Sequence, residues 1–153
     1  MNSRSDTPTG ATRLVIAHTL TDAQVQELCA LYQKEWWTIG RSADDVRLML
    51  AGTDLVAALA EEGTGRLVAF ARVLTDRVYK ALMFDVIVSS EYRGLGVGRR
   101  LIETVLSHPL MSQVQHVELY CRPELVPFYR KWGFDEPGEQ LRFMRFDRSA
   151  GAV

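Results

Sequence analysis

The chain has 153 residues, of which 47% are hydrophobic and 24% charged, with a formal net charge of −1 at neutral pH. These values predict one globular domain with a sizeable core. A near-neutral charge argues against nucleic acid as the main partner, because phosphate binding requires a basic surface. No apolar run approaches the roughly 20 residues that cross a bilayer, so we expect a cytoplasmic protein without a membrane partner.

The first residues and the cysteines add two further expectations. Residues 1–11 are polar and rich in Ser, Thr, Pro and Gly, which predicts a disordered tail ahead of a single domain over residues 12–148. Cys29 and Cys121 have no additional ligands at metal-binding spacing, so we expect reduced thiols and no bound metal.

Hydrophobic periodicity and turn residues predict the elements in chain order. An apolar segment at 13–17 indicates a first strand, and Thr21 or Asp22 then caps a first helix. Ser42 caps a second helix, which ends at Gly52. Strands are then predicted at 55–60, 67–74, 82–88, 114–121 and 141–146, and helices at 97–106 and 123–132. This order predicts a mixed α/β sheet with helices on both faces.

The most informative segment is a glycine-rich run between a predicted strand and a predicted helix: Arg93-Gly94-Leu95-Gly96-Val97-Gly98-Arg99-Arg100. Such a junction offers unpaired helix N–H groups to an anion such as a pyrophosphate. A nucleoside-triphosphate loop needs a Lys-Ser or Lys-Thr pair, and here two arginines follow the last glycine. A dinucleotide fingerprint needs another glycine spacing, although Glu118 lies at a suitable distance for a ribose contact. A plain strand-to-helix turn needs only one glycine.

Arg93, Gly96 and Gly98 match the pattern Q/R-x-x-G-x-G/A, and here the sequence resembles the GNAT superfamily of acyl-CoA-dependent N-acetyltransferases. Segment 85–98 is similar to that family's central motif, and segment 119–134 to its tyrosine-bearing segment before a Gly-Phe pair. Within the latter, the sequence resembles the arylalkylamine N-acetyltransferases. Their histidine pair before the glycine loop is replaced here by Leu82 and Phe84, so their histidine-based proton path is absent. The resemblance implies a mixed α/β (α+β) fold, with a central sheet of six to seven strands flanked by about four helices.

The resemblance also implies that acetyl-CoA is the co-substrate and that no metal takes part. Backbone N–H groups of residues 94–99 then hold its pyrophosphate, while Arg93 neutralises the charge or orders the turn. Main-chain groups of the preceding strand bind the pantetheine arm and the thioester oxygen. The residues expected to bind the co-substrate are Val86, Ile87, Val88, Arg93, Gly94, Leu95, Gly96, Val97, Gly98 and Arg99.

Tyr129 is the predicted general acid, because the leaving thiolate needs a proton and a nearby phenol can supply it. The alternative is a buried tyrosine in the apolar stripe of the helix at 123–132. With Tyr129 in place, the predicted reaction is direct attack of a primary amine on acetyl-CoA in a ternary complex. A non-catalytic acyl-CoA-binding or sensing module is the alternative function.

The general base is less clearly marked. Asp85 and Glu118 are acids in otherwise apolar strands, and either is a candidate base that acts through water. The alternative for such an acid is a buried ion pair with Arg72 or Arg142.

The acceptor pocket of this fold is built from the first two helices, their connecting loop and the hairpin. The residues expected to line it are Tyr32, Trp36, Trp37, Arg41 and Tyr79. Paired tryptophans also serve as packing anchors, which is the alternative for that pair. We expect a small-molecule amine as the acceptor and no nucleic acid, and a homodimer through an edge strand is common in the family.

Overall fold

The computed structural model describes residues 12–149, so the tail predicted for residues 1–11 lies outside the described residues. The chain divides into two compact units, with the boundary after Leu119. A single domain over residues 12–148 stays a prediction.

Within the described residues the first unit contains five strands and three α-helices. In chain order they are β1 (Leu14–Ala17), α1 (Asp22–Gln33), α2 (Ala43–Ala51), β2 (Leu55–Glu61), β3 (Leu67–Thr75), β4 (Lys80–Val88), α3 (Val97–Leu106) and β5 (His116–Glu118). The second unit contains α4 (Val126–Arg130). The mixed α/β class and the four α-helices are as predicted, and so is the element order as far as α4.

The sheet has the strand order β1-β2-β3-β4-β5. Its first four strands pair antiparallel, whereas β5 runs parallel to β4. The β2–β3 pair is a hairpin formed by the strands predicted at 55–60 and 67–74, and Gly63 and Gly65 in its turn have positive φ angles of 92° and 73°. Parallel strands need a crossover, which α3 supplies between β4 and β5.

Apolar side chains cover the sheet on both faces. Every residue of β2 is buried, which requires packing on both sides of that strand. α1 packs against β3, and Leu28, Tyr32 and Val46 from α1 and α2 form a cluster with Phe70 and Ile87. α3 packs against β2, β3 and β4 through its buried apolar side.

The helix starts follow their local signals. Thr21 caps α1, and its side chain accepts a hydrogen bond from the backbone N–H of Gln24, whose side chain accepts one from Thr21 N–H in return. Ser42 caps α2 by accepting from the N–H of Asp45. Both predicted caps are therefore confirmed, with Thr21 rather than Asp22 at the first.

Two predicted strands differ from the structure. Instead of six to seven strands, residues 12–149 form five. The strand expected over 114–121 is limited to His116–Glu118, because only these residues pair with β4. The prediction of a strand at 141–146 was wrong, since this segment does not pair with any strand in the described chain. Alternating apolar residues are not enough to make a strand, which needs a hydrogen-bonded neighbour.

The helix predicted at 123–132 is interrupted. A 3-10 turn at Pro123–Leu125 precedes α4. The break follows from Pro127, because a residue without an N–H is tolerated only in the first turn of a helix. Within residues 12–149, no helix is long and apolar enough to cross a membrane.

Candidate active site

The glycine-rich run forms the junction between β4 and α3. Gly94 and Gly96 adopt left-handed φ angles of 76° and 77°, a conformation that costs other residues energy. Gly96 is the N-cap of α3 and has no side chain to bond the helix end. The first hydrogen bond of α3 joins the N–H of Arg100 to the carbonyl of Gly96 at 3.1 Å. Gly98 is helical and lies in the first turn.

The backbone N–H groups of residues 94–99 have no hydrogen-bond acceptor within the described chain. Neither a carboxylate nor a hydroxyl caps the N-terminus of α3, and its first turn contains no acidic residue. Open N–H donors at a helix N-terminus form a binding site for an anion. This turn therefore has the geometry expected of a pyrophosphate site.

Arg93 orders this turn in the structure. Its Nε donates to the carbonyl of Val88 at 3.1 Å, and its Nη2 donates to Glu35 Oε1 at 2.8 Å. Arg93 thus connects the end of β4 to the segment after α1. Of the two roles predicted for Arg93, these contacts favour the ordering one. Arg99 points along α3, where its Nε donates to Glu103 at 2.8 Å.

One edge of β4 is open next to the turn. β5 pairs only with Lys80–Leu82, and no strand of the described chain pairs with that edge beyond Leu82. The other edge of β4 stays paired with β3 as far as Val88. The main chain around Val86, Ile87 and Val88 therefore has a strand edge without a paired strand among the described residues, the arrangement expected for binding a pantetheine arm.

A β-bulge lies within β4 at Asp85. Phe84 pairs with Arg72 and Ile87 with Phe70, so two residues of β4 face the single residue Ala71. Asp85 has a φ of 55°, a left-handed conformation that aspartate tolerates better than most residues. The extra residue changes the alternation of side chains, and the Asp85 carboxylate meets the side chain of Arg72.

Asp85 is the centre of a buried polar cluster. Its Oδ2 accepts hydrogen bonds from Tyr32 Oη at 2.9 Å, Arg41 Nη1 at 2.8 Å and Arg72 Nε at 2.8 Å. Arg41 Nη2 lies 3.4 Å from the second oxygen, Oδ1. We call these four residues the Asp85 cluster. The ion pair with Arg72 is the alternative named above, whereas the pairing with Arg41 has no signal in the sequence.

The Asp85 cluster fixes the charges of its members. Burial opposes ionisation of Asp85, but the hydrogen bonds and charges of Arg41 and Arg72 outweigh it and lower the pKa of this carboxyl. Burial, followed by the charge of Asp85, raises the pKa of Tyr32, so the phenol stays neutral. A carboxylate held by two guanidinium groups is a weak base, and these contacts favour the ion-pair role of Asp85 over the general-base role.

The other predicted polar residues lie elsewhere. Glu118 is exposed and forms an ion pair with Lys80 at the start of the β4–β5 pair. Tyr79 precedes Lys80 in the sequence and is exposed. Trp36 and Trp37 are exposed in the segment between α1 and α2. The structure thus brings Tyr32 and Arg41 together with Asp85 but places Glu118 in a separate, solvated pair.

Tyr129 lies in α4 of the second unit and is buried. Burial, with a smaller contribution from Cys121, raises the pKa of Tyr129 to about 12. The ring of Phe128 lies 5.0 Å from that of Tyr129 and 4.9 Å from that of Trp132, as expected for an aromatic stripe. At neutral pH the phenol therefore retains its proton. Among residues 12–149, no group of three or more His, Cys, Asp or Glu side chains is placed to hold a metal ion.

These features are what a transferase that uses acyl-CoA requires, since a pyrophosphate needs open N–H donors and a thioester arm needs a free strand edge. The chain belongs to the GNAT acetyltransferases: the Acetyltransferase (GNAT) domain family matches residues 53–136, which include the glycine-rich run and Tyr129. Enzymes of this family use acetyl-CoA as co-substrate.

Known proteins agree on the class and differ in the acceptor. Serotonin N-acetyltransferase 2, chloroplastic, of Oryza sativa subsp. japonica is 39% identical over 90 residues, which are 59% of this chain and 45% of that protein. Histone acetyltransferase TAP1 of Glycine max is 30% identical over 146 residues, 90% of this chain and 63% of that protein. The chain thus spans less than two thirds of either relative.

A solved structure shows the same fold. A protein from Xanthomonas campestris pv. campestris, assigned to the GNAT acetyltransferases, superimposes with a TM-score of 0.76 at 25% identity. The superposition covers 90% of this chain and 96% of that one. The fold class predicted from the sequence is therefore confirmed, with the smaller strand count given above.

Proposed function

We propose that this protein transfers the acetyl group of acetyl-CoA to a primary amine of a small molecule, by direct attack in a ternary complex. The observation that carries the proposal is the run of open N–H groups over residues 94–99 at the N-terminus of α3. A diphosphate supplies the acceptors that these donors lack. The nearby arginines Arg99 and Arg100 add positive charge at a helix end that otherwise disfavours it.

The open edge of β4 extends this site toward the reacting group. Main-chain groups at Val86, Ile87 and Val88 are next to the glycine turn in sequence and border the gap left by β5. A pantetheine arm that lies along this edge replaces the missing strand and places its thioester beside the bulge at Asp85. Binding through the main chain explains why these side chains are ordinary apolar residues.

Tyr129 is the proposed general acid. The amine nitrogen forms a bond to the acetyl carbon, the C–S bond breaks, and the leaving thiolate takes the phenolic proton. The nitrogen loses one proton, which passes through water and restores the phenol. The pKa of the buried phenol is about 12 and that of a thiol in water about 8.5, so complete transfer of this proton to a free thiolate is uphill by about 5 kcal/mol. Stabilisation of the phenolate, or a transfer concerted with C–S cleavage, must therefore offset this difference. Asp85 and Glu118 as general bases stay predictions, as do a cytoplasmic location and a homodimer.

Thiol release from acetyl-CoA in the presence of a panel of amines tests the proposal. The panel includes serotonin and a lysine-containing histone peptide, after the names of the two relatives. We expect amine-dependent thiol release with at least one small amine. Absence of release with every amine, while coenzyme A still binds, would instead identify a binding module.

Gly96→Glu tests the pyrophosphate site, because it places a carboxylate where an anion is expected to bind. We expect loss of coenzyme A binding by calorimetry without loss of the fold. Gly63→Glu is the matched control, since Gly63 also has a positive φ and open space around its Cβ position but lies in the β2–β3 turn. Unchanged affinity in Gly96→Glu means that the pyrophosphate binds elsewhere.

A further inference from the structure

The Asp85 cluster has more positive than negative charge. Arg41 and Arg72 contribute two guanidinium groups, Asp85 contributes one carboxylate, and Tyr32 is neutral. Within residues 12–149, neither arginine has a second carboxylate within ion-pair distance. Buried charges in proteins are normally paired, so one negative charge is missing from this site.

The further contacts of the two arginines within the described part of the chain are with uncharged groups. Arg41 contacts the sulfur of Met49 at 3.9 Å and lies 4.7 Å from the centre of the Tyr32 ring. Arg72 lies 4.5 Å from the centre of the Phe84 ring. Sulfur and aromatic faces tolerate a guanidinium group but do not neutralise it.

Both arginines have N–H groups for which residues 12–149 supply no acceptor. Each guanidinium has five N–H donors, and among the described residues only the Nε of Arg72 has an acceptor. No buried side-chain nitrogen of the described residues lacks a hydrogen-bond partner, so the two Nη groups of Arg72 reach solvent. The side chain of Arg72 is 12% exposed and that of Arg41 31% exposed. The free donors therefore belong to two partly buried side chains.

We propose that these free N–H groups of Arg41 and Arg72 bind an anionic group of the acceptor, so that the preferred substrates are amines that also carry a carboxylate or a phosphate. This inference rests on the proposed acetyl transfer. Asp85 directly precedes the strand segment assigned to the thioester arm, so an anion bound at the cluster holds its amine close to the reacting carbon. Planar guanidinium groups bind both anions through paired hydrogen bonds.

The test compares acceptors that differ only in the anion. The pairs are phenylalanine with phenylalaninamide, β-alanine with β-alaninamide, and phosphoethanolamine with ethanolamine. We expect the anionic member of at least one pair to have a kcat/KM at least about tenfold higher. The first two pairs report on a carboxylate and the third on a phosphate. The neutral amide is intrinsically the less basic amine and so more often unprotonated, which makes a preference for the carboxylate informative.

Variants of Arg41 distinguish binding of the acceptor's anionic group from mere positioning of Asp85. Arg41→Gln should lower kcat/KM for the anionic acceptor at least about tenfold and for its neutral partner less than about threefold. Arg41→Lys keeps the charge and should retain most of the preference. Arg47→Gln is the control, because Arg47 pairs with Asp44 on the exposed side of α2.

Each outcome has a defined meaning. Equal rates within every acceptor pair overturn the anion site while leaving acetyl transfer intact, and this comparison needs no variant. An equal loss for both members of a pair in a folded Arg41→Gln protein shows that Arg41 only positions Asp85, and this also overturns the proposal. Absence of thiol release with every amine overturns the proposed function and this inference together.

Discussion

Asp85→Asn should strongly destabilise the protein. Asp85 is 5% exposed, and its carboxylate accepts hydrogen bonds from Tyr32, Arg41 and Arg72. Breaking one partner of a buried ion pair costs about 3–5 kcal/mol, because it leaves an uncompensated charge. Asparagine keeps one oxygen acceptor, tolerates the left-handed φ at this position, and allows half-exposed Arg41 to turn toward water. We therefore expect a loss near the lower limit, about 3 kcal/mol.

Urea titration at pH 7 with linear extrapolation measures this loss. Glu62→Gln is the control, since Glu62 forms only an exposed ion pair with Arg13, and its removal should change the free energy of unfolding by less than about 0.5 kcal/mol. A loss below about 1 kcal/mol in Asp85→Asn would show that Asp85 does not anchor the cluster.

The pH dependence gives an independent check on the same charge. The folded protein lowers the pKa of Asp85, so its contribution is complete above the unfolded value of about 3.9 and is lost as the pH falls through the lower folded value. The difference in unfolding free energy between the unmodified protein and Asp85→Asn should therefore narrow below about pH 4. A difference that stays constant down to the acid transition would contradict the assigned ionisation.

Two further predictions concern the general acid and a helix cap. Tyr129→Phe should lower kcat about 100-fold and leave the dissociation constant of acetyl-CoA unchanged, because the hydroxyl is assigned to proton transfer only. Thiol-release assays measure kcat, and calorimetry measures the dissociation constant. An unchanged kcat would remove Tyr129 from the reaction. Thr21→Ala should cost about 1 kcal/mol in urea titrations by removing the capping box with Gln24. Thr104→Ala, which removes only a hydroxyl that donates to the carbonyl of Arg100 within α3, should stay within about 0.5 kcal/mol.

Local signals in the sequence predicted most of the first unit. Thr21 and Ser42 mark helix starts because a side-chain oxygen must accept from an N–H only a few residues away. The predicted bounds of α3 agree with the observed Val97–Leu106, since left-handed Gly96 and an amphipathic run define its start and length. In each case, the interaction that fixes the element lies within one or two turns of chain.

The elements that could not be predicted from the sequence depend on pairing between distant segments. The strand expected at 114–121 pairs with β4 over only three residues, and the one at 141–146 has no described partner, although both have suitable apolar patterns. A sequence pattern shows which side chains can be buried on a sheet, but the length of a strand depends on its neighbour. Arg93 illustrates the same limit, because its carboxylate partner Glu35 is 58 residues away.

The two halves of the candidate site differ in how far apart their residues lie in the sequence, and this decides what a sequence can reveal. The proposed pyrophosphate site is built from consecutive residues, 94–99, so its pattern can be recognised in the sequence alone. The Asp85 cluster joins three segments, with Arg41 lying 44 residues from Asp85. It also depends on a β-bulge that turns one carboxylate toward the helices. Asp85 could be predicted to need a partner, but the surplus guanidinium group becomes evident only when the segments are brought together. The acceptor is therefore the part of the reaction for which three-dimensional structure adds most.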